Sequence, residues 1–201
     1  MKFKLLLLLL LSTHVYSMES WQEIKFKNVV KQKYDFSCGS ASISTLLKLH
    51  DVHVTEIEIL DFLKKDYQDI ENIAETINND NIEKIAKNNS LSMLDIKKVG
   101  EHYGFNVQAL EFPYDVIDKL KHPAIVHLET PKGFHFSVLI SKSDDFFKLL
   151  DPTQGDVLVT AKDFKKIYTG KLIIYEPKEN PVLLQDLNPN MTLNSLRVHV
   201  F

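Results

Sequence analysis

The chain has 201 residues, enough for one domain with a sizeable core. With 44% hydrophobic and 25% charged residues it has an ordinary globular composition, and a formal charge of -3 without a dense Lys/Arg block gives no electrostatic footprint for nucleic acid. Its single cysteine excludes an internal disulfide.

The chain opens with Lys2 and Lys4, then the unbroken apolar run Leu5 to Leu11, then Val15-Tyr16-Ser17. This pattern predicts a secretory signal peptide over 1–17. The run is shorter than the ~20 apolar residues that cross a bilayer. No later segment is apolar enough to span, so the expected product is an exported, periplasmic or secreted protein with no stable membrane insertion.

Ile24-Lys25-Phe26-Lys27 alternates apolar and charged residues, as a half-buried strand does. From Cys38 to Leu49 the pattern is helical, with Ala41, Ile43, Leu46, Leu47 and Leu49 on a wide apolar face. Thr55 and Glu58 form a capping box that opens a second helix running to about Tyr67. Residues 68–90 read as a short helix or two with loops. Ser92 and Asp95 start another helix, with Met93, Ile96, Val99 and Tyr103 on one face and Gly104 at its end. The texture then changes. Strands are predicted over 105–112, 124–128, 134–140, 146–150, 157–159 and 172–175, with short helices starting near Pro113 and Thr160. Helices first and strands later define an α+β domain over 18–176. Pro177, Pro181 and Pro189 mark a C-terminal extension over 177–201.

Cys38 stands at a predicted helix start, where unsatisfied N–H groups and the helix dipole favour its thiolate. Gly39 leaves room for a carbonyl to approach. The Cys38 N–H is one donor for a developing oxyanion, and Gln32, six residues upstream, offers a second. A thiol needs a base. Most of His50, His53, His102, His122, His127 and His199 read as ordinary surface or half-buried residues, and His127 has no acid placed by a hairpin. His135 does: if Ser141 faces Phe146 across a loop over 141–145, antiparallel pairing sets His135 opposite Pro152 and beside Asp151. That is a base with an orienting acid. His127 ranks a distant second. Asp151-Pro152 also reads as a strand-ending turn.

Several stretches, in this order, resemble the bacteriocin-processing peptidase family, the double-glycine leader peptidases: Val30 to Gly39, Ser92 to Lys97, His122 to Val126, Phe134 to Leu139 and Leu150 to Pro152. Together they cover about residues 28–176. The resemblance implies a papain-like fold, with the N-terminal helices packed on a C-terminal antiparallel sheet. It implies Cys38 as nucleophile, His135 as base, Asp151 as orienting acid and Gln32 in the oxyanion hole. It implies a peptide or protein substrate cut after small residues of Gly-Gly type, and no metal or organic cofactor. Family members often form the N-terminal domain of an export ATPase. This chain has no transmembrane bundle and no phosphate-binding loop, and its signal segment resembles a stand-alone exported branch. Two further readings share these residues: acyl transfer or amidase chemistry on the same triad, and a non-catalytic peptide-binding module.

Overall fold

The computed structural model describes residues 20–63, 90–177 and 185–186. The proposed signal segment, the helices read into 68–89, and Pro181 and Pro189 lie outside the described residues. The helices are α1 (Trp21–Phe26), α2 (Cys38–Lys48), α3 (Glu56–Phe62), α4 (Met93–His102) and α5 (Ala161–Ile167). The strands are β1 (Asn106–Glu111), β2 (Ala124–Thr130), β3 (Gly133–Lys142), β4 (Phe146–Asp151), β5 (Gly155–Thr160), β6 (Tyr168–Glu176) and β7 (Gln185–Asp186), with a 3-10 helix over Tyr114–Lys119. The first six strands form an antiparallel sheet in the order β1-β6-β2-β3-β4-β5, and β7 runs parallel to the end of β3 at Ser141 and Lys142.

The capping signals are realised in the backbone. Thr55 with Glu58, and Ser92 with Asp95, form reciprocal capping boxes at α3 and α4, and Gly104 follows α4 at φ 87°. Thr160 caps α5 by accepting from the Asp163 N–H. One element departs from its expected type. Residues 24–27 were expected as a strand, yet α1 is a helix, because Ser20 and Glu23 make a third capping box. Four alternating residues are too few to separate the two periods. Ile24 is accordingly 52% exposed. The backbone of α1 lies against the start of β5, where Gly155 takes φ 81° and the Lys25 carbonyl oxygen fills the space a side chain would need.

The strands carry continuous apolar runs because both faces of the sheet are covered. Neighbouring residues feed opposite cores: Ile125, Val138, Leu150 and Ile173 face the helices, while Val126, Leu139, Leu149 and Leu172 face a second core with Ile117, Phe164 and Ile167. On the helical side α2 is central. Every residue from Gly39 to Leu47 is buried, so it has no solvent face, only an apolar side and a hydroxyl side. Burying Ile43, Leu46 and Leu47 completely is worth about 1.5–3 kcal/mol each. The hydroxyls are satisfied locally: Ser44 donates to the Ser40 carbonyl and Thr45 to the Ala41 carbonyl. Ser42 reaches across to donate to the Phe136 carbonyl at 3.0 Å, fixing α2 on β3.

Candidate active site

The helix that Ser42 anchors begins at Cys38, and the strand it is anchored to carries His135. Ser37, the residue before α2, gives its hydroxyl to the Tyr34 carbonyl at 2.8 Å and makes no side-chain cap. The first-turn N–H groups of α2 are therefore not capped by Ser37, and Cys38 sits among them. Gly39 does not face open cleft as the carbonyl-approach reading expected. It is buried, and a side chain there would meet Leu91 Cβ at 2.9 Å. The glycine is required by close packing of Leu91 on the helix start.

The β3–β4 hairpin has a different register from the expected one. β3 runs on to Lys142 and tightens the loop, so Ser141 pairs with Lys148 and Lys142 with Phe147. The register then shifts between Leu139 and Ser141, and Leu139 pairs with Leu149 and Val138 with Leu150. A β-bulge at this point takes up one residue and bends the strand. Beyond the last pair the two strands bring His135 and Asp151 together, and His135 Nε2 lies 2.7 Å from Asp151 Oδ2. The other oxygen, Oδ1, accepts from the Thr153 N–H at 2.9 Å, the Thr153 hydroxyl at 2.6 Å and the Gln154 N–H at 2.9 Å. Asp151 therefore makes the strand-ending turn and holds the imidazole at once.

The Asp151 side chain is completely buried and that of His135 is 13% exposed. With Nε2 engaged by the carboxylate, Nδ1 is the ring nitrogen left over, and Cys38 lines the same cleft close enough to act on the charge of the ring. Cys38 and His135 thus face one cleft, and Asp151 holds the ring from behind. Burial pulls the His135 pKa down, but the hydrogen bonds to Asp151 and Cys38, together with their negative charges, outweigh it and hold the pKa at about 10. Burial likewise pushes the Asp151 carboxyl up, and the His135 and Thr153 hydrogen bonds win, leaving it below the usual aspartate value. The geometry favours an imidazolium at neutral pH.

His127 is placed differently. Its Nδ1 lies 2.9 Å from the Thr169 hydroxyl, its ring stacks on Phe134, and it pairs across the sheet with Phe136. Burial and then the Lys171 charge hold it below the usual histidine value. It lacks the acid–base partners of His135.

Gln32 is tied to both sides of the site. Its backbone N–H donates to the Pro152 carbonyl at 3.0 Å, and its side-chain Nε2 donates to the Tyr34 carbonyl at 2.9 Å. Its Oε1 is buried and has no hydrogen-bond partner among the described residues. A cleft of about 740 Å³ runs over these groups. Gln32, Asp35 and Cys38 line one wall, and Thr130 to His135 form the other, with Thr153 and Gln154 at the Asp151 turn. All four residues singled out in the sequence converge on this cleft and its rear wall. Thr153 and Gln154 were missed there. The run Asp151-Pro152-Thr153 carried a usable signal, because an aspartate commonly bonds the backbone and hydroxyl two residues on. Among the described residues no group of His, Cys, Asp and Glu could hold a metal ion, and no helix is long and apolar enough to cross a membrane.

Comparison with known proteins agrees with this architecture. The peptidase domain of Streptococcus ComA superposes with a TM-score of 0.58 at 17% identity, over 75% of this chain and 98% of that one. A double glycine motif protease from an AMS/PCAT transporter, solved in complex with its leader peptide, gives 0.56 at 21% identity, over 75% and 91%. In sequence, the probable functional amyloid protease FapD of Pseudomonas fluorescens is 28% identical over 153 residues, 76% of this chain and 62% of that protein. The transport protein LagD of Lactococcus lactis, described as processing lactococcin G, is 24% identical over 76% of this chain and 19% of its own length. The chain therefore spans less than two thirds of FapD. These likenesses define the fold, that of a papain-like peptidase domain. More narrowly, the chain belongs to the Peptidase C39 family, which matches residues 65–180. That match starts downstream of Gln32 and Cys38, so the position of these two residues in the site rests on the geometry above.

Proposed function

We propose that this peptidase hydrolyses peptide bonds with Cys38 as nucleophile, His135 as acid and base, Asp151 as the acid that orients it, and Gln32 as an oxyanion donor. The observation that carries the reading is His135, bonded to the buried Asp151 at 2.7 Å and facing the same cleft as Cys38. A cysteine peptidase needs a thiol, and this sequence has one. The Cys38 sulfur attacks the scissile carbonyl carbon, and the C=O π pair moves onto oxygen. The Cys38 N–H and the second Gln32 amide hydrogen receive that charge. Collapse breaks the C–N bond, and the departing amine takes the proton from the His135 imidazolium, leaving a thioester. Water then attacks the thioester, giving its proton to His135. The carboxyl product leaves, and the thiolate–imidazolium pair returns.

The substrate reading is a peptide or protein cut after small residues, in keeping with the double glycine motif protease among the structural neighbours. The likeness to FapD adds functional-amyloid proteins to the candidate substrates. The basic-then-apolar start of the chain supports an exported enzyme acting outside the cytoplasm. Incubating wild type and Cys38→Ala with an exported proteome, then sequencing the new N-termini, tests the reading as a whole. Wild type alone should create new ends that follow Gly or Ala. Equal cleavage by Cys38→Ala would refute the nucleophile. Ends that follow Arg, Phe or Leu, and never Gly, would refute the small-residue preference. Amine-capped products in place of free acids would favour acyl transfer.

Gln32→Ala should lower kcat by on the order of 10²-fold and change KM little, because the oxyanion exists only near the transition state. Steady-state kinetics on a cleaved peptide checks this. A rise in KM with normal kcat would place Gln32 in substrate binding.

A further inference from the structure

Glu56 is the first residue of α3, and it is only 6% exposed. It has no part in starting its own helix, since Thr55 and Glu58 complete that cap. Its carboxylate turns to another segment. It accepts the Lys33 N–H at 2.9 Å through Oε2 and at 3.3 Å through Oε1. The Ser37 hydroxyl and the Tyr34 N–H stand close enough to favour its charged form, while their own hydrogens go to the Tyr34 carbonyl and to Ser37 Oγ. All three of these residues lie between Gln32 and Cys38. Burying a carboxylate is costly unless its oxygens are satisfied, and here they are satisfied by one loop.

That loop carries the two donors assigned to the oxyanion. The Gln32 amide is held by the Tyr34 carbonyl, so a shift of residue 34 moves the amide. The Cys38 N–H belongs to the peptide unit that Ser37 begins, so a shift of Ser37 turns that N–H. Ser37 and Tyr34 also bond each other, with the Tyr34 N–H donating to the Ser37 hydroxyl at 3.1 Å. We infer that Glu56 is a positioning residue for the oxyanion hole, fixing the 33–37 loop so that the Gln32 amide and the Cys38 N–H converge on one point. The inference rests on the roles proposed above for Gln32 and Cys38. It adds a buried anchor on a different helix, one that touches neither the substrate nor the thiol.

Preorganised donors act on an oxygen that bears charge, and they leave a reaction without such an oxygen unaffected. Three readouts separate positioning from general damage: kcat on the best-cleaved peptide from a library, inhibition by the corresponding peptide aldehyde, and alkylation of Cys38 by iodoacetamide. The aldehyde forms a hemithioacetal whose oxygen sits where the oxyanion forms. Alkylation makes no oxyanion. Glu56→Ala should lower kcat about 10- to 100-fold with KM within about 3-fold, and weaken the aldehyde by a similar factor. Alkylation should stay within about 2-fold of wild type, because the pairing of His135 with Asp151 is untouched. Glu56→Gln keeps the shape and one acceptor, so it should fall between wild type and alanine, and it decides the matter if the alanine variant does not fold. Wild-type kcat in either folded variant overturns the inference. So does an alkylation rate that falls as far as kcat, which would mark Glu56 as merely structural. A Cys38→Ala control that still cleaves would overturn the parent assignment instead, and with it this one.

Discussion

His135→Ala is expected to reduce peptide hydrolysis by about 10⁴-fold or more while the protein stays folded. Among the described residues this ring is the one that is bonded to an acid and faces the same cleft as Cys38, and it serves both half-reactions. Without it the leaving amine departs unprotonated and the attacking water keeps its proton. The fold should survive, because His135 stands at the cleft end of β3, past the last residues paired with β4, and outside both apolar clusters. One structural cost is expected, since Asp151 loses the Nε2 donor and keeps only the three donors of its turn. His127→Ala supplies the control, being a histidine of the same strand pair that lacks an acid. It should keep activity within a few-fold. Steady-state rates with circular dichroism on both variants check the pair. An active His135→Ala beside an inactive His127→Ala would reverse the assignment.

Much of this site was legible in the sequence because its parts are local signals. A cysteine at a helix start, a glutamine shortly before it, and a His and an Asp on the strands of one hairpin are visible without any tertiary information. The α+β order was legible for the same reason: the capping pairs at Thr55, Ser92 and Thr160 mark helix starts by side-chain chemistry. What stayed hidden depends on contacts between distant segments. The shift between Leu139 and Ser141 cannot be read from alternation, since β3 is apolar on both faces and one residue more or less leaves no trace in its pattern. The fit of Leu91 against Gly39 joins residues 52 positions apart. The burial of Glu56 against the 33–37 loop leaves no local trace, for a charged residue in a first helical turn is ordinarily a solvated dipole partner. The misread α1 is a different case. Its capping box, Ser20 with Glu23, is a local signal that the sequence contains and that the strand reading of 24–27 leaves unused.

Asp151→Asn should cut kcat/KM by about 10³-fold and move its alkaline limit downward. In the wild type the His135 pKa is set by a contest. Burial lowers it, and the hydrogen bonds and charges of Asp151 and Cys38 raise it to about 10. The substitution removes the negative charge of Asp151 and leaves burial in place, so the imidazolium must lose its proton at lower pH. Activity requires that proton for the leaving amine. The wild-type profile should therefore hold through neutral pH and decline as pH rises toward about 10, whereas the variant should decline well below that. Stability follows the same sign. A raised histidine pKa favours the folded state fully below its unfolded value of 6.5, and that contribution fades as pH climbs from there through about 10. Asp151, with a lowered pKa, contributes above its unfolded value of 3.8 and is lost as pH falls below it. The asparagine variant should lose both slopes, giving a flatter dependence of Tm on pH at the acid and alkaline ends. Asparagine also presents an NH₂ where the carboxylate accepted only, and the Thr153 and Gln154 donors can be satisfied only if its carbonyl takes the Oδ1 place. The NH₂ then faces His135 Nε2 as a donor, which selects the tautomer with its hydrogen on Nδ1 and leaves that nitrogen no lone pair for Cys38. pH–rate profiles and thermal melts on both proteins measure these shifts, and an unchanged alkaline limit in Asp151→Asn would show that Asp151 does not set the charge of His135.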